Sequence, residues 1–278
     1  MKGAIIGDIC GSVYEFNNVL TKDFGPLVTD KCGCTDDTIM TLAVTDWLFR
    51  KHYSLPDELV DIRDIFKAYG QTFPNAGYGR KFFDWVLSDD MEPYNSCGNG
   101  AAMRISPVGW YSKTEEQVKE LAYEVTKVTH NHPEGIKGAE CIAMMIFKAK
   151  NGATKDELRD LAGYYYSDNI IFGQSLDEMR DGTKGEHGKE ICQFSVPQAI
   201  NCFLLSTGFE DCIRNCISIG GDSDTIACIA GGVAEAFYGG GSGTEVEKIW
   251  SDICDLNRAE DSFYDEIDSI FEEFYSIC

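Results

Sequence analysis

Apolar residues recur at helical spacing along most of this chain, and this pattern limits the possible folds more than any other feature. Ten segments carry apolar side chains at i, i+3 and i+4, which gives an α-helix one apolar face. The predicted helices are Ile39–His52, Asp57–Gly70, Glu115–Thr129, Pro133–Lys150, Lys155–Tyr166, Val196–Leu205, Glu210–Ile219, Ser223–Tyr238, Glu245–Leu256 and Asp261–Tyr275. The alternation that is typical of β-strands is nearly absent. The sequence therefore predicts an all-α protein.

Local signals and chain length refine this prediction. Pro133 and Pro197 lie early in their predicted helices, where a missing amide proton is harmless. The segment Phe172–Gln193 is rich in Gly and charge, which predicts a long connection. A chain of 278 residues with 44% hydrophobic content can fill one large core, so we expect a single domain over residues 1–278 and, by default, a monomer.

Charge and cysteine usage restrict the partners and the compartment. With 24 basic and 46 acidic side chains the formal net charge is −22, which disfavours nucleic acid and anionic membranes as partners. No apolar run is long enough to span a bilayer. The twelve cysteines lack paired CxxC spacing, and several, such as Cys202, Cys212 and Cys228, stand where a small core residue would serve. We interpret them as reduced fillers in a cytoplasmic protein, and a redox role remains an alternative for Cys32 and Cys34.

Two Asp-rich segments carry the clearest chemical signal. Cys34–Thr38 and Gly220–Thr225 each combine two Asp residues with Thr, and each leads into an apolar helical face. Crowded carboxylates repel one another unless protons, helix N-termini or a cation compensate. If the fold brings both segments together, they offer only oxygen ligands, which suit Mg²⁺, Mn²⁺ or Ca²⁺ rather than Zn²⁺. The alternative is that each segment only caps its own helix.

Glycine-rich segments form the second signal. Gly7–Ser12, Asn75–Arg80 and Ser96–Arg104 are interpreted as loops whose backbone N–H groups could hold phosphate oxygens, although plain turns are the alternative. The four histidines do not assemble into a Ser/His/Asp triad or a zinc ligand set. This disfavours a serine hydrolase or a zinc enzyme.

These segments, taken in order, resemble the ADP-ribosylglycohydrolase family. The resemblance runs from the first residues to about Tyr238, whereas residues 239–278 carry no recognisable signature. The matching motifs are Gly7-Asp8 with Gly11-Ser12 and Glu15, Thr35-Asp36-Asp37-Thr38, Gly77-Tyr78-Gly79, Gly98-Asn99-Gly100 through Met103-Arg104, Thr129-His130, and Gly220-Gly221-Asp222-Ser223-Asp224-Thr225 with Gly231 and Ala234. Cys97 stands where many relatives carry an aromatic residue, and Ser223 stands where they often carry Thr.

The resemblance implies a compact, orthogonal helical bundle whose central cleft holds two Mg²⁺ or Mn²⁺ ions and the ADP-ribosyl group. It implies metal ligands at Thr35, Asp36, Asp37, Asp222, Asp224 and Thr225. Asp224 would be the bridging ligand. It also implies substrate contacts at Gly77, Tyr78, Ser96, Gly98, Asn99, Gly100 and His130. Arg104 either faces the diphosphate or is a buried structural residue.

The implied reaction is hydrolysis of a ribosyl C1″ bond through an oxocarbenium-like state. Either Glu15 or a metal-bound carboxylate such as Asp37 would accept the proton of the attacking water. We favour Glu15, because cations lower the basicity of the carboxylates that bind them. The substrate would be an ADP-ribosylated protein or a small ADP-ribose adduct, and the linkage stays open. The alternatives are a non-catalytic ADP-ribose-binding module and a purely structural use of the fold.

Overall fold

The computed structural model describes residues 1–56, 59–169, 171–183, 190–257 and 263–278. These residues form fifteen α-helices and no β-strand, which confirms the predicted all-α class. The helices are α1 (Lys2–Gly11), α2 (Asp36–His52), α3 (Ile62–Thr72), α4 (Arg80–Leu87), α5 (Gly100–Met103), α6 (Ser106–Tyr111), α7 (Glu115–Lys127), α8 (Pro133–Lys150), α9 (Lys155–Tyr166), α10 (Leu176–Thr183), α11 (Cys192–Leu205), α12 (Phe209–Ser218), α13 (Ser223–Tyr238), α14 (Glu245–Asn257) and α15 (Phe263–Ile277).

The observed helix bounds agree with the predicted ones at some helices and differ at others. Helices α8, α9 and α13 begin and end at the predicted residues. Helix α2 begins earlier than predicted, at Asp36, because the Thr35 side chain accepts a hydrogen bond from the Asp37 N–H and caps the first turn. The predicted helix starts at Asp57 and Asp261 lie outside the described residues.

Two predictions about where helices lie in the sequence were wrong. Gly7–Ser12 is not a loop, since Lys2–Gly11 is helical and every residue of that helix is buried. A helix buried on all sides has no polar face, so it shows no amphipathic period. Pro197 lies inside α11 rather than near its start, because that helix begins at Cys192.

The predicted connections also contain short helices. Helix α10 lies within the segment that was expected to be a long connection, and α5 lies within the Ser96–Arg104 loop. Helices α4, α5 and α6 have eight residues or fewer, and their patterns were too short to detect.

Helices α1 and α13 form the centre of the molecule and pack unusually closely. A methyl group added at Gly7 would lie 2.1 Å from the Ala227 carbonyl oxygen, and one added at Gly3 would lie 2.4 Å from the Gly231 carbonyl oxygen. Only glycine permits this approach of two backbones. At the end of α1, a methyl group at Gly11 would lie 2.5 Å from the Asp224 Cα. The C-terminal end of α1 therefore meets the first turn of α13.

The burial of the cysteines supports their predicted role as core residues. Cys202, Cys212, Cys216 and Cys228 are fully buried, which confirms them as core residues. Within the described part of the chain, no helix has the length and apolar character needed to cross a membrane.

Candidate active site

The two Asp-rich segments line the same cavity, which has a volume of about 380 Å³. Asp36 and Asp37 approach it from the first turn of α2, and Asp222 and Asp224 approach it from the start of α13. The first turns of both helices therefore border this cavity, and helix N-termini favour negative charge. The fold thus brings together the two acidic segments that are far apart in sequence.

A tight turn positions the second segment. Gly220 and Gly221 have φ values of +75° and +80°, a left-handed conformation that glycine adopts without strain. The side chain of Asn18 fastens this turn to the loop of Glu15. It accepts a hydrogen bond from the Gly221 N–H and donates to the Glu15 carbonyl oxygen at 2.7 Å. The loop that carries Glu15 is thereby joined to the turn that precedes Asp222.

Asp8 is a functional candidate that the sequence analysis left without a role. It is fully buried and lies on α1. Its carboxylate accepts hydrogen bonds from the Thr35 N–H at 3.0 Å and the Thr35 hydroxyl at 2.7 Å. It also accepts from the Thr38 N–H at 3.0 Å and from the Thr38 hydroxyl. Asp8 therefore holds the start of α2 against α1. The sequence signal that could have identified Asp8 is a single Asp within an otherwise apolar segment.

Two groups of three carboxylates share Asp224. Asp8, Asp37 and Asp224 form one group, and Glu15, Asp222 and Asp224 form the other. In each group, one oxygen from each residue lies within 4.8 Å of the others. The Asp37 Oδ1 atom is buried without a hydrogen-bond partner among the described residues. Hard oxygen ligands and an unpaired buried carboxylate oxygen fit a divalent cation.

Burial and mutual repulsion raise the pKa values of these carboxyl groups. Burial, together with the neighbouring carboxylates, raises the pKa of Asp224 to about 9 and that of Asp36 to about 8. The same causes raise the pKa of Glu15 to about 7 and hold that of Asp37 well above its usual range. Burial raises the pKa of Asp222 to about 6, although its hydrogen bonds oppose the shift. The cluster therefore needs positive charge, from protons or cations, in order to be stable.

Most of the predicted substrate-contact residues line this cavity as well. The residues in this set are Gly77, Ser96, Gly98, Asn99, Gly100 and His130. The Asn99 side chain donates hydrogen bonds to the Asp222 carboxylate and, at 2.9 Å, to the Ser195 hydroxyl. The glycine-rich loop is therefore connected directly to the acidic cluster.

Tyr78 has a different environment from its neighbours. Gly77 and Gly79 line the cavity, whereas the Tyr78 ring stacks on Phe83, with ring centroids 5.9 Å apart and an interplanar angle of 5°. Its hydroxyl is buried and has no hydrogen-bond partner within the described ranges. In this arrangement the Tyr78 ring packs against α4, and Tyr78 is not among the residues that line the cavity.

The comparisons with known proteins agree with this geometry. A family model described as ADP-ribosylglycohydrolase matches residues 1–275. The chain belongs to this family. The match confirms the resemblance seen in the motifs and extends it beyond Tyr238, to helices in which no motif was recognisable.

Relatives of this ADP-ribosylglycohydrolase chain cover nearly its whole length. ADP-ribosylhydrolase ARH3 of Mus musculus is 27% identical over 98% of this chain and 91% of its own length. The ADP-ribosyl-[dinitrogen reductase] glycohydrolase of Rhodospirillum rubrum is 27% identical over 85% of this chain and 83% of its own length. A solved structure titled ADP-ribosylglycohydrolase-related protein complex superposes with a TM-score of 0.69 at 21% identity, covering 99% of this chain and 96% of that one, and supports the fold.

The structure adds cavity residues that the family motifs did not suggest. Arg80 and Lys81 bring positive charge to one part of the wall, and Glu190 brings a further carboxylate. Phe16, the residue after Glu15, lines the cavity with 86% of its surface exposed.

Arg104 reaches the cavity wall but is fully buried, so the structural alternative for this residue is correct.

Proposed function

We propose that this protein is a divalent-cation-dependent hydrolase that cleaves the ribosyl C1″ bond of ADP-ribosylated side chains or small ADP-ribose adducts and releases ADP-ribose. The observation that carries the proposal is the pair of carboxylate groups sharing Asp224, on a cavity that also contains a glycine-rich loop. The names of the relatives from Mus musculus and Rhodospirillum rubrum support the same reaction class.

Two Mg²⁺ or Mn²⁺ ions are the cofactors that we propose. The residues that would hold them are Thr35, Asp36, Asp37, Asp222, Asp224 and Thr225. Asp224 would be shared, since it belongs to both carboxylate groups, and Asp8 would hold Thr35 in place. Bound cations would orient the ribose hydroxyls and stabilise negative charge on oxygen.

Glu15 is the proposed general base. It is partly exposed at the cavity wall, whereas Asp37 is only 1% exposed. One oxygen of Asp37 accepts a hydrogen bond from the Thr225 hydroxyl at 3.1 Å, and the other is the unpaired atom assigned above to a cation. Glu15 belongs to one carboxylate group but is not among the proposed cation ligands, and a partly exposed carboxylate that binds no cation directly is better able to accept a proton from water. Asp37 is the alternative base.

The remaining residues would orient the substrate. We propose that Ser96, Gly98, Gly100 and His130 contact the ADP-ribosyl group and that Asn99 orients Asp222 as well as the ligand. Tyr78 and Gly77 would shape the wall on the side of α4. The protein would act as a monomer with one domain over residues 1–278, and its buried thiols are consistent with a cytoplasmic location.

Release of ADP-ribose from defined adducts tests the proposal. Peptides modified on Arg or Ser, and small ADP-ribose esters, are incubated with Mg²⁺, with Mn²⁺ and with EDTA. We expect release from at least one adduct with Mg²⁺ or Mn²⁺, loss of release in EDTA, and recovery when the cation is restored. Binding of ADP-ribose without release from any adduct would instead support the binding-module alternative. Release that EDTA leaves unchanged would contradict the cation requirement.

A further inference from the structure

Arg104 is held rigidly behind the cavity wall. Its guanidinium lies 4.4 Å from the centre of the Phe66 ring, and its Nη2 donates to the Thr129 hydroxyl at 2.7 Å. Burial lowers the pKa of Arg104 to about 10, so the side chain is still charged at neutral pH. A fixed guanidinium can only donate hydrogen bonds, because it has no acceptor atom.

This fixed donor determines the protonation of the neighbouring His130. The Nδ1 atom of His130 lies 3.4 Å from Arg104 Nη2 and 2.8 Å from the Thr129 hydroxyl oxygen. The Thr129 hydroxyl can accept from Arg104 and donate its own proton to Nδ1 at the same time, because a hydroxyl is both donor and acceptor. Arg104 offers Nδ1 only a donor, and a proton on Nδ1 would face the guanidinium, so this arrangement favours Nδ1 as the acceptor. In a neutral imidazole, the proton must then be on Nε2.

The Nε2 atom faces the glycine-rich loop. A methyl group added at Gly98 or Gly100 would lie 3.5 Å or 3.2 Å from Nε2, and His130 lines the cavity. Within the described ranges, Nε2 has no hydrogen-bond partner. Burial and the nearby Arg104 charge hold the pKa of His130 well below its usual range, which keeps the ring neutral.

We propose that Arg104 and Thr129 are positioning residues that hold His130 in its Nε2-protonated tautomer, so that this N–H donates to an oxygen of the bound ADP-ribosyl group. The inference rests on the proposed function and deepens it. It assigns a donor role to His130 and gives Arg104, which is fully buried at the cavity wall, a role in positioning that donor. The oxygen that Nε2 contacts belongs to a phosphate or a ribose hydroxyl.

Nitrogen NMR of the free protein tests the tautomer directly. The protein is labelled with ¹⁵N-histidine, long-range proton–nitrogen correlations are recorded at pH 7, and His130 is assigned by the signals that disappear in His130→Gln. We expect a neutral ring with the proton on Nε2. A ring protonated on Nδ1, or on both nitrogens, would overturn the proposal. This result does not depend on whether the protein hydrolyses any adduct.

A matched pair of substitutions tests the positioning role. Thr129→Val removes the hydroxyl but keeps the shape of the side chain, and Thr129→Ser retains the hydroxyl. We expect Thr129→Val to give a mixture of His130 tautomers and to weaken ADP-ribose binding about tenfold, as for the loss of one good hydrogen bond. Thr129→Ser should restore both properties.

The NMR measurement and the Thr129 substitutions together distinguish a failure of the tautomer assignment from a failure of the proposed function. An unchanged tautomer and unchanged ADP-ribose affinity in Thr129→Val would overturn the role of Thr129. If Thr129→Val does not fold, the tautomer in the unmodified protein and the behaviour of Thr129→Ser decide the matter. An Nε2-protonated ring in a protein that releases no ADP-ribose from any adduct would refute the proposed function and leave the tautomer assignment intact.

Discussion

At the scale of single residues, Asp224 and Glu15 carry most of the proposed chemistry. Asp224 is 4% exposed and belongs to both carboxylate groups, so its removal disrupts both at once. Glu15 belongs to one group and lies on a loop that Asn18 fastens to the turn before Asp222. Substitution of Asp224 therefore tests cation binding, and substitution of Glu15 tests the chemical step.

Asp224→Asn should abolish cation-dependent activity, because it removes a charged ligand from both proposed sites. We expect hydrolysis to fall by about 100-fold or more, since even the loss of a partner of a metal ligand costs about 10- to 100-fold. The increase in melting temperature caused by Mg²⁺ should also disappear. Asp252→Asn, an exposed position on α14, is the matched control. Activity equal to that of the unmodified protein would show that the ligand assignment is wrong.

Glu15→Gln should separate binding from hydrolysis. The amide keeps the size of the side chain but cannot accept the proton of water, so we expect a rate decrease of about 10²- to 10⁴-fold. The affinity for ADP-ribose, measured by calorimetry, should change little. Glu92→Gln, an exposed position, is the control. A variant as fast as the unmodified protein would transfer the role of base to Asp37.

At the scale of elements, the contact between α1 and α13 builds the site. It places Asp8 beside the start of α2 and Gly11 beside Asp224. The glycines at positions 3, 7 and 11 occur every four residues, so they lie on one face of α1. The acidic cluster depends on this backbone contact as much as on its carboxylates.

Gly7→Ala should destabilise the protein severely. The added methyl group would overlap the Ala227 carbonyl oxygen at 2.1 Å, and backbone atoms cannot move aside cheaply. We expect a loss of about 3 kcal/mol in the free energy of unfolding, the upper end of the usual cost of overpacking, measured by urea denaturation. Gly241→Ala is the control, because a methyl group there meets nothing within 4 Å. Equal midpoints for the two variants would contradict the close packing of α1 on α13.

The N-terminus of α3, which lies away from the cavity, should make a pH-dependent contribution to the stability of the protein. The Asp61 carboxylate caps this helix by accepting from the Arg63 N–H at 2.9 Å, and it also accepts from the Arg63 guanidinium. The hydrogen bonds from the Arg63 side chain are the main cause of the lowered pKa of Asp61. A lowered pKa in the folded state stabilises the protein above the unfolded pKa of about 3.9, and this contribution is lost as pH falls through the folded value.

Two substitutions isolate that contribution. Asp61→Ala removes the cap and should cost about 1 kcal/mol of unfolding free energy at pH 7. Asp61→Asn keeps a capping oxygen but does not titrate, so the difference between Asp61→Asn and the unmodified protein should shrink as pH falls below about 4. Urea denaturation between pH 3 and pH 7 measures both. A difference that stays constant across this range would contradict the assigned pKa shift.

At the scale of the whole molecule, negative charge is concentrated where the proposed cations bind. The formal net charge is −22, and five of the acidic side chains that contribute to it, Asp8, Glu15, Asp37, Asp222 and Asp224, meet in the two carboxylate groups. Arg80 and Lys81 are exposed cationic residues on the cavity wall. Cation binding and folding should therefore be strongly linked.

Mg²⁺ should raise the melting temperature in a concentration-dependent way, and EDTA should remove the effect. A ligand at 100 times its dissociation constant adds about 2.7 kcal/mol to stability when it binds only the folded state. Since any salt screens a charge of −22, NaCl at equal ionic strength is the necessary control. Identical melting curves in Mg²⁺ and in NaCl would contradict a specific cation site.

The sequence by itself determined the all-α class, the bounds of α8, α9 and α13, both acidic segments and the family. These features depend on local spacing and on short motifs, which can be read without distances. Only the tertiary structure revealed that Gly7–Ser12 belongs almost entirely to a helix, that Asp8 supports Thr35, and that Tyr78 stacks on Phe83. A helix buried on every side has no period to detect, and contacts between distant segments follow from packing rather than from sequence pattern.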